Sequence, residues 1–597
     1  MLRRFLPLAL LLTCCAAFAG TVTGHVFLDA NADGQWQAEE SAVPRALLSD
    51  GLSFATSGDD GAYQLTSPDG EQVIFIDNPA GTWPTQGFYR NVKVGPAVAD
   101  FPLRRQEQKL PFYFVQGTDL HIRPEIAPQM AQYVQALNSL PVPLAFVVHT
   151  GDLVVDATNQ NVEGARKLFG AYQQMVAPLK YPLLNLPGNH EHTAVGRADV
   201  SADTPGFGKG LYREMFGPTY YAVNYAGVHF IALDGTNIAG HSLSYALTQP
   251  CLDWLKGYLE HVDRAEPLVL LTHEPIAPTA EKARVEPLLA GRKVLLTLSG
   301  HWHTIARYTL AGAPEIIGGM TSYPWHGGPF GPNPVGYHLV KITADGFEDG
   351  FGDWAQQYPV TVTAPERGAT LKTKAMVTVG FGDPAEKPLP DPETIQKVQV
   401  QFLDPANEVT SAEVTLGPAK QTFQQFATQG LYRTLSCELA VPGIPEGFND
   451  LVVTLHGKGE PTVEKQAFLF LGGLTYAFSP VAGPATLRFK AHGVNADDLI
   501  KLNGEEIGKL SAAAGAEQTV NLVLPAGNLR KLNVLELVSA PLADGSGCDD
   551  FSADYAELQY QDKTYRDYRL YAGAVQVPKS PTPVSATLYF DLTRPDL

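Results

Sequence analysis

Residues 107–355 alternate short, mostly apolar runs with longer stretches of helical periodicity, and this alternation constrains the fold more than any other feature of the chain. Runs of four or five apolar residues are typical of strands that are covered on both faces. Strands of this kind separated by helices predict a layered α/β domain. The predicted strands are Phe112–Val115, Ala145–Val148, Leu183–Leu186, Phe230–Leu233, Leu268–Leu271 and Val294–Leu298, and the predicted helices are Ile126–Leu137, Glu163–Val176 and Cys251–His261.

Five polar motifs follow apolar runs in this segment. Side chains that leave the ends of successive strands meet at a common site in a layered α/β domain. Each motif is weak by itself, but five of them in one segment predict a centre that holds two metal ions. Histidine is concentrated here, with twelve of the fifteen residues. The motifs are Thr118-Asp119-Leu120-His121, Gly151-Asp152, Gly188-Asn189-His190-Glu191, Thr272-His273-Glu274 and Gly300-His301-Trp302-His303.

Two neighbouring cations suit the hydrolysis of a phosphate ester. Cations about 3.5–4 Å apart polarise phosphoryl oxygens and lower the pKa of a water molecule, so that hydroxide forms near neutral pH. Because such cations repel each other, a shared carboxylate is needed, and Asp152 can supply it. Mixed oxygen and imidazole ligands favour Mn, Fe, Zn or Co, without choosing among them.

The ordered set of motifs resembles the signature of the calcineurin-like metallophosphoesterases, over about residues 107–355. The resemblance implies a four-layer α/β/β/α sandwich with two metal ions between its sheets. It implies that Asp119, His121 and His303 hold one ion, that Asn189, His273 and His301 hold the other, and that Asp152 bridges both. It also implies a catalytic role for His190, which would stabilise the phosphoryl group and donate a proton to the leaving oxygen; the alternative is a histidine bonded to backbone at a helix start.

Differences from the motifs of two related groups of phosphatases indicate which branch of the superfamily the chain resembles. No arginine follows Asp152 within Gly151–Ala157, where the protein phosphatases of this superfamily carry one. His121 and the lack of a tyrosine after the second motif differ from the purple acid phosphatases. The pattern resembles the exported, phosphodiesterase-like branch more closely.

Several residues near the motifs leave two interpretations open. His149 is either a hydrogen-bond partner of a metal ligand or a packed strand histidine, and His192 could face substrate or solvent. The aromatic, glycine-rich loop 323–328 could contact a leaving group or pack against the next strand. Glu191 and Glu274 are expected to act as local hydrogen-bond partners and not as ligands.

The N-terminus carries the three parts of a secretory signal peptide. Arg3 and Arg4 precede an apolar run from Phe5 to Phe18, and Ala17-Phe18-Ala19 is a cleavage signal. We therefore expect residues 1–19 to be removed and the protein to be periplasmic or secreted, with no transmembrane segment in the mature chain. Cys251, Cys437 and Cys548 then remain, and their odd number and wide spacing argue against a disulfide framework.

Residues 20–106 predict a small β domain that resembles the B-type repeats of bacterial surface proteins. Its predicted strands are Thr21–Leu28, Arg45–Leu48, Ala62–Thr66 and Gln72–Ile76. Between the first two lies a loop with the spacing of a twelve-residue calcium site, with the candidate ligands Asp29, Asn31, Asp33 and Glu40. A solvated acidic turn is the alternative.

The last two segments are predicted to be all-β: a β-sandwich domain over 356–470 and a jelly-roll-like domain over 471–597. The first has alternating runs such as Val398–Phe402 and Leu451–Leu455, separated by proline and glycine clusters such as Pro388–Pro392. The second has a hairpin signal at Asn503-Gly504. The chain is thus expected to be a multidomain protein with a central α/β domain flanked by β domains that act as spacers or bind glycan or the cell envelope.

Charge and motifs together predict the function. A net charge of −19 argues against a role in coating nucleic acid, but a local cation can still hold a small phosphorylated substrate. The expected activity is an exported phosphoesterase with a preference for phosphodiesters. The alternatives are a broad phosphomonoesterase, or a surface-binding protein whose central domain is catalytically idle.

Overall fold

The computed structural model describes residues 19–594 except 69, 95, 323–334, 365–369, 373–394, 441–446, 472–479, 513–516, 525–526 and 568–573. The predicted signal peptide, the loop 323–328 and the cluster Pro388–Pro392 therefore lie outside the described residues. The chain forms two compact units. The first holds the described residues of Met1–Val134, Leu144–Gly319 and Lys341–Phe347, and the second holds those of Gln135–Pro143, Met320–Val340 and Glu348–Leu597.

The N-terminal segment is entirely β-structure. Alternation of buried and exposed residues along its strands gives each sheet one face in a common core, which includes Val26, Leu48 and Ile76. All four strands predicted there are present. The strands are β1 (Ala19–Leu28), β2 (Ser41–Ala42), β3 (Leu47–Ser49), β4 (Phe54–Thr56), β5 (Ala62–Pro68), β6 (Gly70–Asp77), β7 (Thr82–Pro84), β8 (Tyr89–Val94), β9 (Pro96–Val98) and β10 (Phe101–Arg105).

The central segment alternates strands and helices, as its apolar runs predicted. Each predicted strand and helix is present, with ends displaced by no more than a few residues. The elements are β11 (Phe112–Gly117), α1 (Ala127–Asn138), β12 (Leu144–Thr150), α2 (Val162–Val176), β13 (Leu183–Leu186), α3 (Gly210–Phe216), β14 (Tyr221–Tyr225), β15 (Val228–Leu233), β16 (Thr236–Ala239), β17 (Ser242–Tyr245), α4 (Gln249–His261), β18 (Pro267–Thr272), α5 (Lys282–Leu289), β19 (Lys293–Ser299), β20 (Ala306–Leu310), β21 (Ala313–Ile317), β22 (Tyr337–Ile342) and β23 (Phe347–Gly352).

Two sets of parallel strands lie in the central segment of the first unit. Strands β13, β12 and β11 are hydrogen-bonded side by side in parallel. In a second sheet β15, β18, β19 and β21 run parallel, with β14 and β20 antiparallel at its two edges. Parallel sheets are usually covered on both faces, and β12 and β15 are accordingly buried along their whole length. The α/β character of the segment is confirmed; the four-layer stacking stays a prediction.

The N-terminal strands pack directly on the central segment inside the first unit. The Tyr258 hydroxyl donates a hydrogen bond to Asp77 Oδ2 (2.7 Å), and this carboxylate lies 3.3 Å from His229 Nδ1. Trp254 Nε1 donates to Ser49 Oγ (3.2 Å). Buried polar contacts of this kind fix the position of one β-sheet against helix α4.

The second unit contains two β-sandwiches, each with its own apolar core. In the first, sheets of order β24-β26-β30-β29 and β25-β32-β31-β27-β28 share a core. Its strands are β24 (Val360–Ala364), β25 (Thr370–Lys372), β26 (Ile395–Leu403), β27 (Ser411–Leu416), β28 (Ala419–Phe423), β29 (Ala427–Gln429), β30 (Tyr432–Ala440), β31 (Gly447–His456) and β32 (Thr462–Leu471).

The C-terminal sandwich repeats this architecture. A sheet of order β36-β33-β38-β39, to which β40 also pairs, faces a sheet of order β35-β34-β37-β41 across one core. Asn503 and Gly504 both adopt positive φ between β34 and β35, which confirms the predicted hairpin turn. The strands are β33 (Ala485–His492), β34 (Leu499–Leu502), β35 (Glu505–Lys509), β36 (Gln518–Leu524), β37 (Leu532–Val538), β38 (Phe551–Tyr560), β39 (Lys563–Arg566), β40 (Ala574–Val577) and β41 (Ser585–Asp591).

The chain is therefore strand-rich and multidomain, as expected. Cys251, Cys437 and Cys548 are buried free thiols. Among the described helices, none combines the length and the apolar character that crossing a bilayer requires. The domain boundaries proposed from the sequence stay predictions.

Candidate metal centre

The five polar motifs lie where parallel strands of the two sheets end. Asp119 and His121 follow β11, Asp152 follows β12, and Asn189 and His190 form a single 3₁₀ turn with Glu191 after β13. His273 follows β18, and His301 and His303 follow β19. Since the carboxyl ends of parallel strands meet at one edge of a sheet, these motifs can converge on one site.

Asp119 has one carboxylate oxygen oriented by the protein and the other facing imidazoles. Its Oδ2 accepts hydrogen bonds from Thr118 Oγ1 (2.8 Å) and from the backbone N–H of His301 (3.1 Å). Its Oδ1 lies 3.1 Å from His303 Nε2 and 3.9 Å from His121 Nε2. The carboxylate thus has a fixed orientation toward two ring nitrogens.

Asp152 shows the same division between its two oxygens. The backbone N–H of His190 donates to Asp152 Oδ1 (3.0 Å). Asp152 Oδ2 lies 3.2 Å from His273 Nε2 and 3.8 Å from Nε2 of both His121 and His190. This single oxygen therefore faces histidines from three different motifs.

The potential ligand atoms form two groups that share Asp152. Asp119, His121, Asp152 and His303 each offer one atom, and these atoms lie within 4.8 Å of one another. Asp152, His273 and His301 form a second group of the same compactness. Asn189 joins it, because its Oδ1 lies 3.2 Å from His273 Nε2.

Burial divides the site into a floor and a rim. Asp119, His121, Asp152 and His273 are at most 3% exposed. Asn189, His301 and His303 are partly exposed. A ligand can therefore approach from the side of the rim while the buried carboxylates stay fixed below it.

Backbone strain is concentrated at these residues. Asp119, His121, Asp152, His301 and His303 all have left-handed φ angles, between 46° and 67°. Such conformations cost about 1–3 kcal/mol each and are concentrated at functional sites, where the surrounding structure enforces them. The strand ends thus turn sharply and direct these side chains into one hollow.

Glycine is required where two of these turns pass close to a ligand side chain. A Cβ atom at Gly300 would lie 2.0 Å from Thr118 Oγ1 and 2.6 Å from Asp119 Oδ2. Gly151 has a φ of 90°, and a Cβ there would lie 2.5 Å from His273 Nδ1. Any other residue at these positions would displace the groups that orient the site.

The charges of the site suit a cation. Burial raises the pKa of Asp152, but His273 and His190 outweigh it and hold this pKa well below its ordinary value. Burial lowers the pKa of His121 and of His301 to about 4, so both imidazoles are neutral at pH 7. Ionised carboxylates beside neutral imidazoles are the ligand states that a transition metal binds.

His273 is also oriented for binding a metal. Its Nδ1 lies 2.8 Å from the carbonyl oxygen of Thr150, and a proton on Nδ1 directs Nε2 into the site. Burial lowers the pKa of His273, but the Asp152 carboxylate raises it well above its ordinary value. A cation would replace the proton that His273 Nε2 shares with Asp152. The residues therefore fit two metal ions of the transition series.

His190 lies at the rim beside Asp152. Its side chain is 27% exposed, and its ring centroid is 5.0 Å from that of His121 in a perpendicular arrangement. Its Nδ1 is buried without a hydrogen-bond partner among the described residues. Its backbone N–H bonds to Asp152, while its ring stays available at the edge of the site.

Two carboxylates beside the ligands act as hydrogen-bond partners, as the sequence predicted. Glu191 accepts the backbone N–H of Val154 (3.0 Å) and of Gly188 (2.7 Å), so it ties together the loops that carry Asp152 and Asn189. Burial raises the pKa of Glu191 to about 8. Glu274 accepts a hydrogen bond from Thr236 Oγ1.

The structure decides between the two interpretations of His149 and excludes one of the two for His192. His149 is enclosed by tyrosines, with Tyr172 OH 2.7 Å from Nδ1 and Tyr133 OH 3.1 Å from Nε2, so it is a packed strand histidine. Burial lowers its pKa to about 3. His192 is 1% exposed, and its Nδ1 lies 3.1 Å from the carbonyl oxygen of Asn189. Of the two possibilities left open for His192, facing solvent is excluded, because the turn after His190 folds the residue inward.

A buried ion pair beside the site was missed from the sequence. Lys209 Nζ lies 2.5 Å from Asp234 Oδ2 and donates to the carbonyl oxygen of Thr236 (2.6 Å). Asp234 directly follows β15, so it has the same position after an apolar run as the recognised motifs. That spacing could have identified Asp234, whereas nothing near Lys209 in the sequence indicates its burial.

The predicted calcium loop is closed by hydrogen bonds within itself. Asp29 Oδ1 accepts the N–H of Asp33 (3.1 Å), and Glu40 Oε1 accepts the N–H of Ala30 (3.0 Å). Among the described residues, the compact groups of metal-ligating side chains are the two at Asp152, and Asp29, Asn31, Asp33 and Glu40 do not form one. Calcium binding at this loop stays a prediction.

Residues 112–304 match the family model described as Calcineurin-like phosphoesterase. This match confirms, for the central segment, the resemblance that its motifs predicted.

A particular relative comes from Enterobacter lignolyticus (strain SCF1). It is the glycerophosphodiester phosphodiesterase GpdQ, to which this chain is 27% identical over 158 residues. The aligned part covers 26% of this chain and 51% of the relative, so the chain spans about half the length of that protein.

Two solved structures are similar at lower identity. GAP50, the anchor in the inner membrane complex of Plasmodium, is 16% identical, with 41% of this chain and 85% of that chain covered and a TM-score of 0.29. Phosphopantetheinyl hydrolase (PptH) from Mycobacterium tuberculosis is 15% identical, with 35% and 90% covered and a TM-score of 0.22. At these TM-scores neither likeness bears on function.

Proposed function

We propose that this chain is an exported metal-dependent phosphoesterase that prefers phosphodiesters. The observation that supports the proposal best is the position of Asp152, whose Oδ2 faces histidines from three motifs and which belongs to both groups of ligand atoms. One carboxylate shared between two groups is the arrangement that two closely spaced cations require.

The proposed roles follow the two groups. Asp119, His121 and His303 would hold one ion, Asn189, His273 and His301 would hold the other, and Asp152, which belongs to both groups, would be shared between them. When bound, the two ions supply positive charge that polarises the phosphoryl oxygens and acidifies water. Their identity, among Mn, Fe, Zn and Co, is left open by the ligand chemistry.

The protein contributes orientation and a proton. Thr118 and the His301 backbone fix Asp119, and the His190 backbone fixes Asp152, so the ligand groups need little reorganisation. We assign the His190 ring as the group that stabilises the phosphoryl oxygens and donates a proton to the departing oxygen. Its partial exposure at the rim supports this role, because a substrate can reach it.

Two observations support a diester in preference to a monoester. The segment Gly151–Ala157 beside the bridging residue has neither arginine nor lysine to meet the second charge of a monoester dianion. The relative from Enterobacter is named a phosphodiesterase. A broad phosphomonoesterase is the alternative within the same class.

Rates on two chromogenic substrates test this preference. Bis-para-nitrophenyl phosphate and para-nitrophenyl phosphate have the same leaving group. The ratio of their kcat/KM values therefore measures the preference of the enzyme for a diester over a monoester. We expect the diester to be faster at equal concentration with added Mn²⁺, Co²⁺ or Zn²⁺. Faster hydrolysis of the monoester would support the monoesterase instead.

A binding protein with an idle central domain is the rival from another class. The convergence of all seven proposed ligands at one hollow argues against it. An idle domain predicts no hydrolysis of either substrate with any of these metals.

Export is proposed from the N-terminal sequence pattern alone. The test is N-terminal sequencing of protein recovered from a periplasmic fraction, where we expect the mature chain to begin at Gly20. A retained Met1 in the cytoplasm would contradict export. Roles of the β segments as spacers, or in binding glycan or the cell envelope, stay predictions, as does calcium binding by Asp29, Asn31, Asp33 and Glu40.

A further inference from the structure

A cavity on the outward face of the first β-sandwich was not indicated by any motif. It has a volume of about 410 Å³ and lies on the sheet of order β24-β26-β30-β29, inside the second unit. The connection between β28 and β29 contributes one side of this sheet-face cavity. Most of its wall is made of uncharged polar side chains, among them Gln399, Gln401, Gln425, Gln429, Thr434 and Ser436.

The alternation of residues along β26 and β30 places the polar side chains of the cavity on one face. The apolar residues that flank Gln399 and Gln401 in β26 are at most 1% exposed and belong to the core, so the two glutamines point outward. Ser436 lies opposite Gln399 and Thr434 lies opposite Gln401 in the antiparallel register. These side chains therefore form a grid, spaced about 4.8 Å across the strands and about 6.8 Å along them.

The carboxamides of this grid are available to a ligand. The side chains of Gln399, Gln401, Gln425 and Gln429 make no hydrogen bond to another residue in the part of the chain that the structure describes. Each carboxamide has two N–H donors and an accepting carbonyl oxygen, and the hydroxyl groups of the wall can also donate and accept. The cavity thus suits a ligand whose groups donate and accept at several points, as hydroxyl groups do.

Charge is missing from this wall. None of its described residues is charged, although charged residues make up 18% of the chain. Lys397 and Glu438 lie on the same two strands, but they are opposite each other and outside the wall. A nucleic acid requires Lys or Arg at its site, and a hard cation requires carboxylates. An uncharged ligand is therefore the complement of this cavity.

Phe423 adds an apolar surface to the wall. It packs against the core of the sandwich and also lines the cavity. An aromatic ring beside a few polar groups suits a ligand with an apolar face and a polar edge. A pyranose ring has such a face of C–H groups and such an edge of hydroxyl groups. An extended peptide is instead bound at a sheet edge by main-chain hydrogen bonds, whereas this cavity presents side chains on a sheet face.

The volume sets the size of the ligand. A cavity of about 150 Å³ accommodates benzene, which has six heavy atoms. By that scale about 410 Å³ accommodates roughly sixteen heavy atoms, whereas one sugar unit within a chain has about eleven. The cavity therefore holds one sugar unit and part of the next.

We propose that the sheet-face cavity binds a neutral oligosaccharide, with Gln399, Gln401 and Gln425 bonded to its hydroxyl groups and one sugar ring against Phe423. The proposal gives a place and a ligand class to the glycan binding that was predicted for the β segments. It is independent of the phosphoesterase function, because the metal centre belongs to the first unit.

Isothermal titration calorimetry of the full chain with three tetrasaccharides tests the proposal. Cellotetraose and the tetramer of N-acetylglucosamine are neutral, whereas tetragalacturonate carries carboxylates. We expect saturable binding of at least one neutral probe with a Kd below about 1 mM and no binding of tetragalacturonate. Binding of neither neutral probe, or tighter binding of tetragalacturonate, would overturn the proposal.

Gln425→Ala and Gln424→Ala form a matched pair of variants. These adjacent glutamines are both exposed, but of the two only Gln425 lines the cavity. Loss of one neutral hydrogen bond corresponds to a Kd raised about two- to tenfold. We expect this increase in Gln425→Ala and the wild-type Kd in Gln424→Ala. Equal Kd values in the two variants would place the sugar elsewhere and contradict the assignment.

The double variant of Gln399→Ala with Gln401→Ala tests the strand part of the site. We expect its Kd to rise about tenfold or more, because two hydrogen bonds are lost. Its hydrolysis of bis-para-nitrophenyl phosphate should equal that of the wild type, and saturating sugar should not inhibit it. Inhibition by the sugar would place the binding at the metal centre and overturn the proposal. Absence of hydrolysis in the wild type would refute the phosphoesterase function alone, and if the double variant does not fold, the pair at positions 424 and 425 decides.

Discussion

Replacement of His190 by alanine separates proton donation from metal binding. The bond that fixes Asp152 Oδ1 comes from the backbone N–H of His190 (3.0 Å), and alanine retains it. The imidazole is 27% exposed, so its removal leaves no closed cavity. We therefore expect the metal content of His190→Ala to equal that of the wild type and the free energy of unfolding to change by less than about 1 kcal/mol.

The expected loss of activity depends on the leaving group. A positioned general acid contributes about a hundredfold to ten-thousandfold, and an alkoxide needs that proton whereas para-nitrophenolate leaves without it. His190→Ala should therefore lose about that factor in kcat on a dialkyl phosphodiester, and much less on bis-para-nitrophenyl phosphate. The assay is ³¹P NMR for the first substrate and absorbance for the second.

Two results would refute this reasoning. Full turnover of the dialkyl substrate by His190→Ala would show that His190 is not the proton donor. An equal loss on both substrates would show that His190 acts on the phosphoryl group or on the metal ligands and not on the leaving oxygen. Metal analysis of the same preparation separates an effect on the phosphoryl group, which leaves the metal content unchanged, from an effect on the metal ligands, which lowers it.

Three further expectations concern stability. Gly300→Ala places a methyl group 2.0 Å from Thr118 Oγ1, so it should lower the free energy of unfolding by about 1–3 kcal/mol and reduce the metal content. Gly170→Ala, in α2 with nothing within 4 Å, should instead raise the free energy of unfolding by about 0.5–1 kcal/mol. Urea unfolding and metal analysis compare the two variants, and equal effects would contradict the crowding at Gly300. Lys209→Met leaves the buried Asp234 carboxylate without its cation and should lower the free energy of unfolding by about 3–5 kcal/mol. The double variant with Asp234→Asn should restore much of this loss in the same assay, and no restoration would mean that the ion pair is not its cause. Burial lowers the pKa of His229, but Asp77 and Glu266 raise it above the ordinary value, and Tyr258 also faces the ring. The stability that His229 contributes is therefore present below about pH 6.5 and is lost as the pH rises through the raised pKa. The difference in Tm between wild type and His229→Gln should shrink from pH 6 to pH 9, and a constant difference would contradict the assignment.

The strands and helices around the site followed from local patterns. Apolar runs such as Leu183–Leu186 are strands because their length and burial suit a covered sheet. The motifs after them converge because parallel strands end at one edge, so Asp119, Asp152 and His273 could be predicted together. Within these motifs, Gly151 and Gly300 are the positions where a side chain would collide with neighbouring groups of the site.

Other features depend on contacts between distant parts of the chain. The tyrosines that enclose His149 come from α1 and α2, and no local pattern pairs them with β12. The contact of Asp77 with His229 joins residues 152 positions apart. The sheet-face cavity combines residues of β24, β26, β29 and β30. Such arrangements follow from tertiary packing, and the sequence alone indicates only the separate residues.

The metal content of purified wild-type protein and of Asp152→Asn, measured by inductively coupled plasma mass spectrometry after loading and desalting, tests the shared carboxylate most directly. Asparagine preserves the shape of Asp152 and its bond to the His190 backbone but removes the charge that faces both ligand groups. We expect about two transition-metal ions per wild-type chain and fewer than about one in the variant. Fewer than one ion in the wild type, or two retained by Asp152→Asn, would contradict a centre built on this residue.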